Sequence, residues 1–189
     1  MNDQPEEKLL NLPGGRALAY EHSGNPNSKT IVLFFHGVFD VGSAARPSPT
    51  LLKHDVHYIA PTLPGWGNSS TRAYPNKTPF YLAIAQDTTA LLEHLHPGCS
   101  SAPEGEYKLY VSGGSYGTVA AQMIFNASPE VFPPGRHITA CLLLAPFSPF
   151  RYQKDYVKGM TWRNYISVGP PSQCIPWRLT QRLGLVVLK

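Results

Sequence analysis

The chain has 189 residues, 42% of them hydrophobic, which is enough to build one domain with a real core. Its formal charge of +4 is unevenly spread: residues 1–150 carry nine Lys and Arg against eleven Asp and Glu, and residues 151–189 carry seven against one. No apolar run approaches membrane-spanning length, and the scattered set Cys99, Cys141 and Cys174 argues against a disulfide framework or a zinc site.

The amino end, Met1-Asn-Asp-Gln-Pro-Glu-Glu-Lys8, lacks a basic leader and an apolar core, so a cytoplasmic protein is expected. Lys29-Thr-Ile-Val-Leu-Phe-Phe35 is a short apolar run that reads as a buried strand, delivering His36-Gly37-Val38-Phe39 to the carboxyl edge of a sheet. Val56 to Pro61 reads as a second strand. It is followed by the turn-rich Leu63-Pro-Gly-Trp-Gly-Asn-Ser-Ser70, whose glycines allow close backbone approach. Residues 79–96 carry Phe80, Ile84, Leu91, Leu92 and Leu95 at mostly helical spacing, with Asp87 and Glu93 among the polar positions. With the strand Tyr107 to Val111 they make a strand, helix, strand crossover.

That strand leads into Gly113-Gly-Ser-Tyr-Gly117, and Thr118 to Phe125 reads as the helix that follows. A strand running into a helix through one tight turn strains the turn residue, so its neighbours must lack bulk. Gly113 and Gly117 meet that need, and Ser115 would stand at a helix N-terminus where N–H groups favour a developing oxyanion. His137 to Ala145 reads as a further buried strand.

In this order and spacing, His36-Gly37, Leu63-Pro-Gly-Trp-Gly-Asn-Ser69 and Gly113-Gly-Ser-Tyr-Gly117 resemble the α/β-hydrolase fold superfamily, over residues 12–150. The resemblance implies an α/β, doubly wound, mostly parallel sheet, incomplete at its carboxyl end. It divides the chain into an extension at 1–11, a core at 12–150 and the start of a helical cap at 151–189. It places Arg16 to His22 in an early antiparallel pair. Ser115 matches the nucleophile, and the backbone N–H groups of Val38 and Tyr116 match the oxyanion donors. His36, Gly37, Gly113 and Gly117 match supporting positions. Serine rather than aspartate at the elbow speaks against the dehalogenase and epoxide-hydrolase branches.

The base and acid do not emerge from the pattern. A catalytic histidine of this fold follows the nucleophile, and the last one here, His137, lies only 22 residues after Ser115. His36 precedes the nucleophile and reads as a support of its loop; His22, His54, His57, His94 and His96 read as solvated or packing residues. Glu130 and Asp155 are the only acids after Ser115, and Arg151, Lys154 and Lys158 around Asp155 suit an exposed ion pair. Two functions remain open. One is a serine hydrolase cleaving an ester, thioester or amide of a small molecule or peptide through an acyl-enzyme. The other is a catalytically silent, truncated or binding-only member. Neither needs a cofactor or metal, and no nucleic-acid motif accompanies the basic tail.

If the sheet ends at the His137 to Ala145 strand, its apolar edge needs a partner or a downstream segment to cover it. The 189-residue polypeptide expressed alone is therefore expected to be poorly soluble or to need a partner. Size-exclusion chromatography with a thermal melt tests this, and a monodisperse monomer that melts cooperatively would overturn it.

Overall fold

The computed structural model describes residues 5–45, 48, 51–72, 78–146 and 155–168. Cys174 and the rest of the expected cap at 169–189, and Arg151 and Lys154, lie outside the described residues. The chain divides into two units, Met1–Phe147 and Ser148–Lys189.

The first unit holds one six-stranded sheet: β1 (Lys8–Leu12), β2 (Arg16–Gly24), β3 (Thr30–Phe35), β4 (His57–Pro61), β5 (Lys108–Gly114) and β6 (Ile138–Leu144). Their order is β1-β2-β4-β3-β5-β6. β1 and β2 pair antiparallel, β2 runs antiparallel to β4, and β3 to β6 are mutually parallel. The sheet therefore starts at Lys8, inside the segment expected to be an extension. Gly14 and Gly15, at φ of +76° and +72°, close the β1–β2 turn. The signal for this hairpin was present, since Pro13-Gly14-Gly15 separates two apolar runs.

α1 (Phe80–Leu95) links β4 to β5, and α2 (Gly117–Phe125) follows β5 directly. α1 buries Ala83, Ile84, Ala85, Leu91 and Leu92, and α2 buries Ala120, Ala121 and Ile124. Both stripes join one core with Ile31, Leu33 and Phe35, the alternate residues of β3. The other residues of β3 are not buried as expected. Thr30, Val32 and Phe34 instead line an open groove of about 800 Å³ with Tyr58, Tyr110 and Leu142. The reason is the placement of the helices, since α1 and α2 pack on the Ile31 side. β6 lies at the sheet edge among the described residues, with Leu142 and Leu144 exposed.

Asp87, a polar position of α1, is buried. Its carboxylate takes both Nη groups of Arg16, at 2.9 and 2.5 Å, and Arg16 Nε donates to the Thr71 carbonyl at 3.0 Å. This bidentate pair ties α1 to β2. The second unit, taken alone, has a 3₁₀ turn at Tyr156–Gly159 and a short helix α3 (Trp162–Val168). Asp155 there pairs with Lys158 at 2.6 Å, both exposed, as the surrounding charge suggested.

Four side chains form a hydrogen-bonded ladder across the amino-terminal ends of the parallel strands. Lys8 Nζ lies 2.8 Å from His22 Nε2, His22 Nδ1 lies 2.9 Å from His57 Nε2, and His57 Nδ1 lies 2.8 Å from His96 Nε2. An ammonium can only donate, so each imidazole accepts at Nε2 and donates from Nδ1. Burial, helped by the neighbouring His96, His22 and Lys8, pushes His57 down to about 3. Burial also lowers His22, with Lys8 adding to it, and His96, with Lys29 adding to it. An extra proton anywhere would set donor against donor.

The folded chain thus holds these histidines neutral, whereas the unfolded chain protonates them below the ordinary value of about 6.5. Below that pH the unfolded state binds more protons, so stability falls with pH between about 6.5 and 3. His57 alone should contribute about 2 kcal/mol of loss at pH 5, from 1.5 pH units at ~1.4 kcal/mol each. Urea midpoints measured from pH 7.5 to 5 should fall in the native chain and fall less steeply in His57→Gln; equal slopes would contradict the account.

Candidate active site

The elbow forms where β5 meets α2. Ser115 has φ of +50° and an exposed side chain, and Ala145, just past β6, shares the left-handed conformation at +51°. Such residues cost about 1–3 kcal/mol and persist where their surroundings hold them. Here the Ser115 N–H donates to the Leu144 carbonyl at 2.8 Å, and its own carbonyl accepts from Thr118 N at 3.1 Å and Thr118 Oγ1 at 2.6 Å. The glycines are needed for space. A Cβ on Gly113 would collide with the backbone of Gly117 and Thr118, and one on Gly117 with the carbonyls of Phe35 and His36.

That second collision fixes where the β3 loop sits. β4 and β5 flank β3 on opposite sides, so the loops leaving β3 and β5 meet at the point where the strand order reverses. A Cβ built on Gly37 would lie 3.8 Å from the Ser115 Cβ. His36 is buried; its Nε2 accepts the Leu63 N–H at 2.9 Å, which makes Nδ1 the donor to the Gly37 carbonyl at 2.7 Å. Burial lowers its pKa, against the opposing effects of that carbonyl and Asp40. His36 thus joins the loop after β3 to the loop after β4 through its two ring nitrogens.

The carbonyl that His36 holds belongs to the Gly37–Val38 peptide, and in a planar trans peptide the Val38 N–H points the opposite way. Among the described residues neither this N–H nor that of Tyr116, at the start of α2, has a hydrogen-bond partner. The loop from Leu63 to Ser70 closes the site from the side of β2. Thr62 N and Ser70 N donate to the carbonyls of Ala19 and Ala17, both at 2.8 Å. Gly65 and Gly67 take positive φ there, at +89° and +46°. Trp66 reaches from this loop to donate Nε1–H to the Val38 carbonyl at 3.0 Å.

The other titratable residues do not join Ser115. No described histidine hydrogen-bonds it. His22, His57 and His96 form the ladder at the opposite end of the strands, and buried His137 lies beside Tyr107 with Nε2 on the Cys99 carbonyl at 3.0 Å. His137 closes a 3₁₀ turn, one residue before β6. Glu130 sits past the far end of the nine-residue α2, which spans ~13 Å at 1.5 Å per residue. The Ser128 hydroxyl lowers its pKa. Among the described residues no cluster of three His, Cys, Asp or Glu could hold a metal, and no helix is long and apolar enough to cross a membrane.

Solved structures share this fold. A putative epoxide hydrolase from Pseudomonas aeruginosa superposes with a TM-score of 0.60 at 19% identity, over 95% of this chain and 53% of its own. The chain has the α/β-hydrolase fold. An epoxide hydrolase from Vigna radiata matches this chain at TM-score 0.55 and 18% identity, over 88% of it and 45% of the other. A putative acyltransferase from Salmonella enterica matches at 0.57 and 18%, over 87% and 48%. The chain spans about half the length of each of these structures. No protein-family model and no curated protein matches it.

Gly117→Ala separates crowding from helix propensity. Propensity alone would stabilise α2 by up to ~1 kcal/mol, whereas the collision with the Phe35 carbonyl should cost about 1–3 kcal/mol. Urea denaturation gives the sign, and a stabilised variant would contradict the packing described.

Proposed function

We propose that this chain carries the nucleophile and oxyanion site of a serine hydrolase acting on an ester, thioester or amide of a small molecule or peptide. The observation that carries the reading is Ser115, exposed and left-handed at the β5–α2 turn, beside two N–H groups without a partner among the described residues. In this reading Ser115 Oγ attacks the acyl carbon. The oxygen of the tetrahedral intermediate accepts from the N–H groups of Val38 and Tyr116, the alcohol, thiol or amine leaves, and water hydrolyses the acyl-enzyme. His36 keeps the Val38 donor aimed by holding the opposite end of its peptide. The base and acid come from outside the described residues.

Two solved neighbours are named epoxide hydrolases, yet serine at the elbow favours acyl transfer over that branch. A binding-only protein is the second reading, favoured by the lack of a described histidine on Ser115. Loss of a triad histidine can cost about 10⁶-fold in rate.

The test is the intact mass of the native protein from its source cells, then labelling of the same sample with a fluorophosphonate. Label on Ser115, abolished in Ser115→Ala, is the expected result. An unlabelled native protein would favour the binding-only reading.

A further inference from the structure

We infer that Trp66 is a positioning residue for the oxyanion site, one side chain that braces both backbone donors; this rests on the acyl-transfer reading of Ser115. The indole contacts both donor residues. Its Nε1–H donates to the Val38 carbonyl at 3.0 Å, and its face stacks on the Tyr116 ring with centroids 5.6 Å apart and planes 30° from parallel. Its edge meets the His36 ring at 6.1 Å.

The loop needs such a brace because its side chains pack poorly. Val38 is 42% exposed and Phe39 94%, and Asp40 is exposed as well. Contacts of that kind cannot hold a peptide in one orientation, so the task falls to hydrogen bonds at the carbonyls. His36 Nδ1 and Asp40 N hold the Gly37 carbonyl at 2.7 and 3.3 Å, and Trp66 holds the next one. Tethers on two consecutive carbonyls fix the peptide between them. Val38 N–H therefore keeps its direction without reorganising as charge develops.

Trp66 can brace only if it is itself held. Its N–H donates to the Leu63 carbonyl at 3.0 Å, its carbonyl accepts from Ser69 at 2.9 Å, and Leu63 N–H donates to His36 Nε2 at 2.9 Å. The brace, the loop it holds and the histidine that holds the neighbouring carbonyl form one closed circuit. No apolar substrate contact is required of the indole in this role.

Trp66→Phe keeps an aromatic ring for the stack and removes the Nε1–H. In the native full-length protein, fluorophosphonate labelling of Ser115 should then saturate at the same probe concentration but with a maximal rate lower by about tenfold, a fraction of the 10²–10³ lost with a whole donor. The melting temperature should stay close to that of the wild type. Equal maximal rates, or a loss that disappears when labelling is compared at equal fractions folded, would overturn the inference and leave the acyl-transfer reading standing. A wild type that takes no label would overturn that reading and this one with it. Hydrogen exchange of the Trp66 indole N–H gives a check that needs no variant: slow exchange is expected, and exchange at the rate of a free indole would overturn the brace.

Discussion

Everything at the carboxyl edge of this sheet follows from how closely α2 approaches the end of β3. At Gly117 no side chain fits, because the carbonyls of Phe35 and His36 occupy the space a Cβ would need. Gly113 is crowded in turn by Gly117 itself. Closing this gap drives Ser115 into a left-handed conformation and sets it beside Gly37. The cost of that strain is offset by hydrogen bonds on both sides of the residue, one reaching Leu144 at the end of β6 and others reaching back from Thr118. Strand order supplies the rest, since the reversal across β3 brings the two loops together with an opening between them.

The two ends of the parallel strands solve opposite problems. At the carboxyl end, two backbone donors have no partner among the described residues and a hydroxyl is exposed, an arrangement that is stable only because water or a ligand can reach it. At the amino end His57 and His96 are buried and every link is made, from exposed Lys8 through half-buried His22 to His57 and His96, each link with one donor and one acceptor. Satisfied networks of this kind hold a unique arrangement but become sensitive to protonation. The described hydrogen bonds are thus closed on one another at the amino end and leave donors open where chemistry is proposed.

Much of the core was legible in the sequence because its signals are local. The β3 and β4 runs and the α1 periodicity lie within a residue of the elements formed, and the β5 run stops three residues short of Gly114. Gly113 and Gly117 mark the elbow because their lack of bulk is visible without coordinates. β1 escaped notice although Gly14-Gly15 announced its turn. Asp87 was legible only as a polar position of α1, and nothing near it in sequence points to Arg16, 71 positions away. His22, His57 and His96 likewise read as separate solvated or packing residues, being 35 and 39 positions apart along the ladder.

By itself, then, the sequence determined the strand and helix runs, the glycine spacing that permits the elbow, and the serine it presents. These depend on propensity and bulk, which each residue carries with it. The tertiary structure alone decided which face of the sheet receives α1 and α2, that His36 and Trp66 grip consecutive carbonyls of one loop, and that three distant histidines share a line of hydrogen bonds. Such contacts join residues separated by tens of positions, and pairing between distant groups is set by strand order and packing rather than by any local pattern.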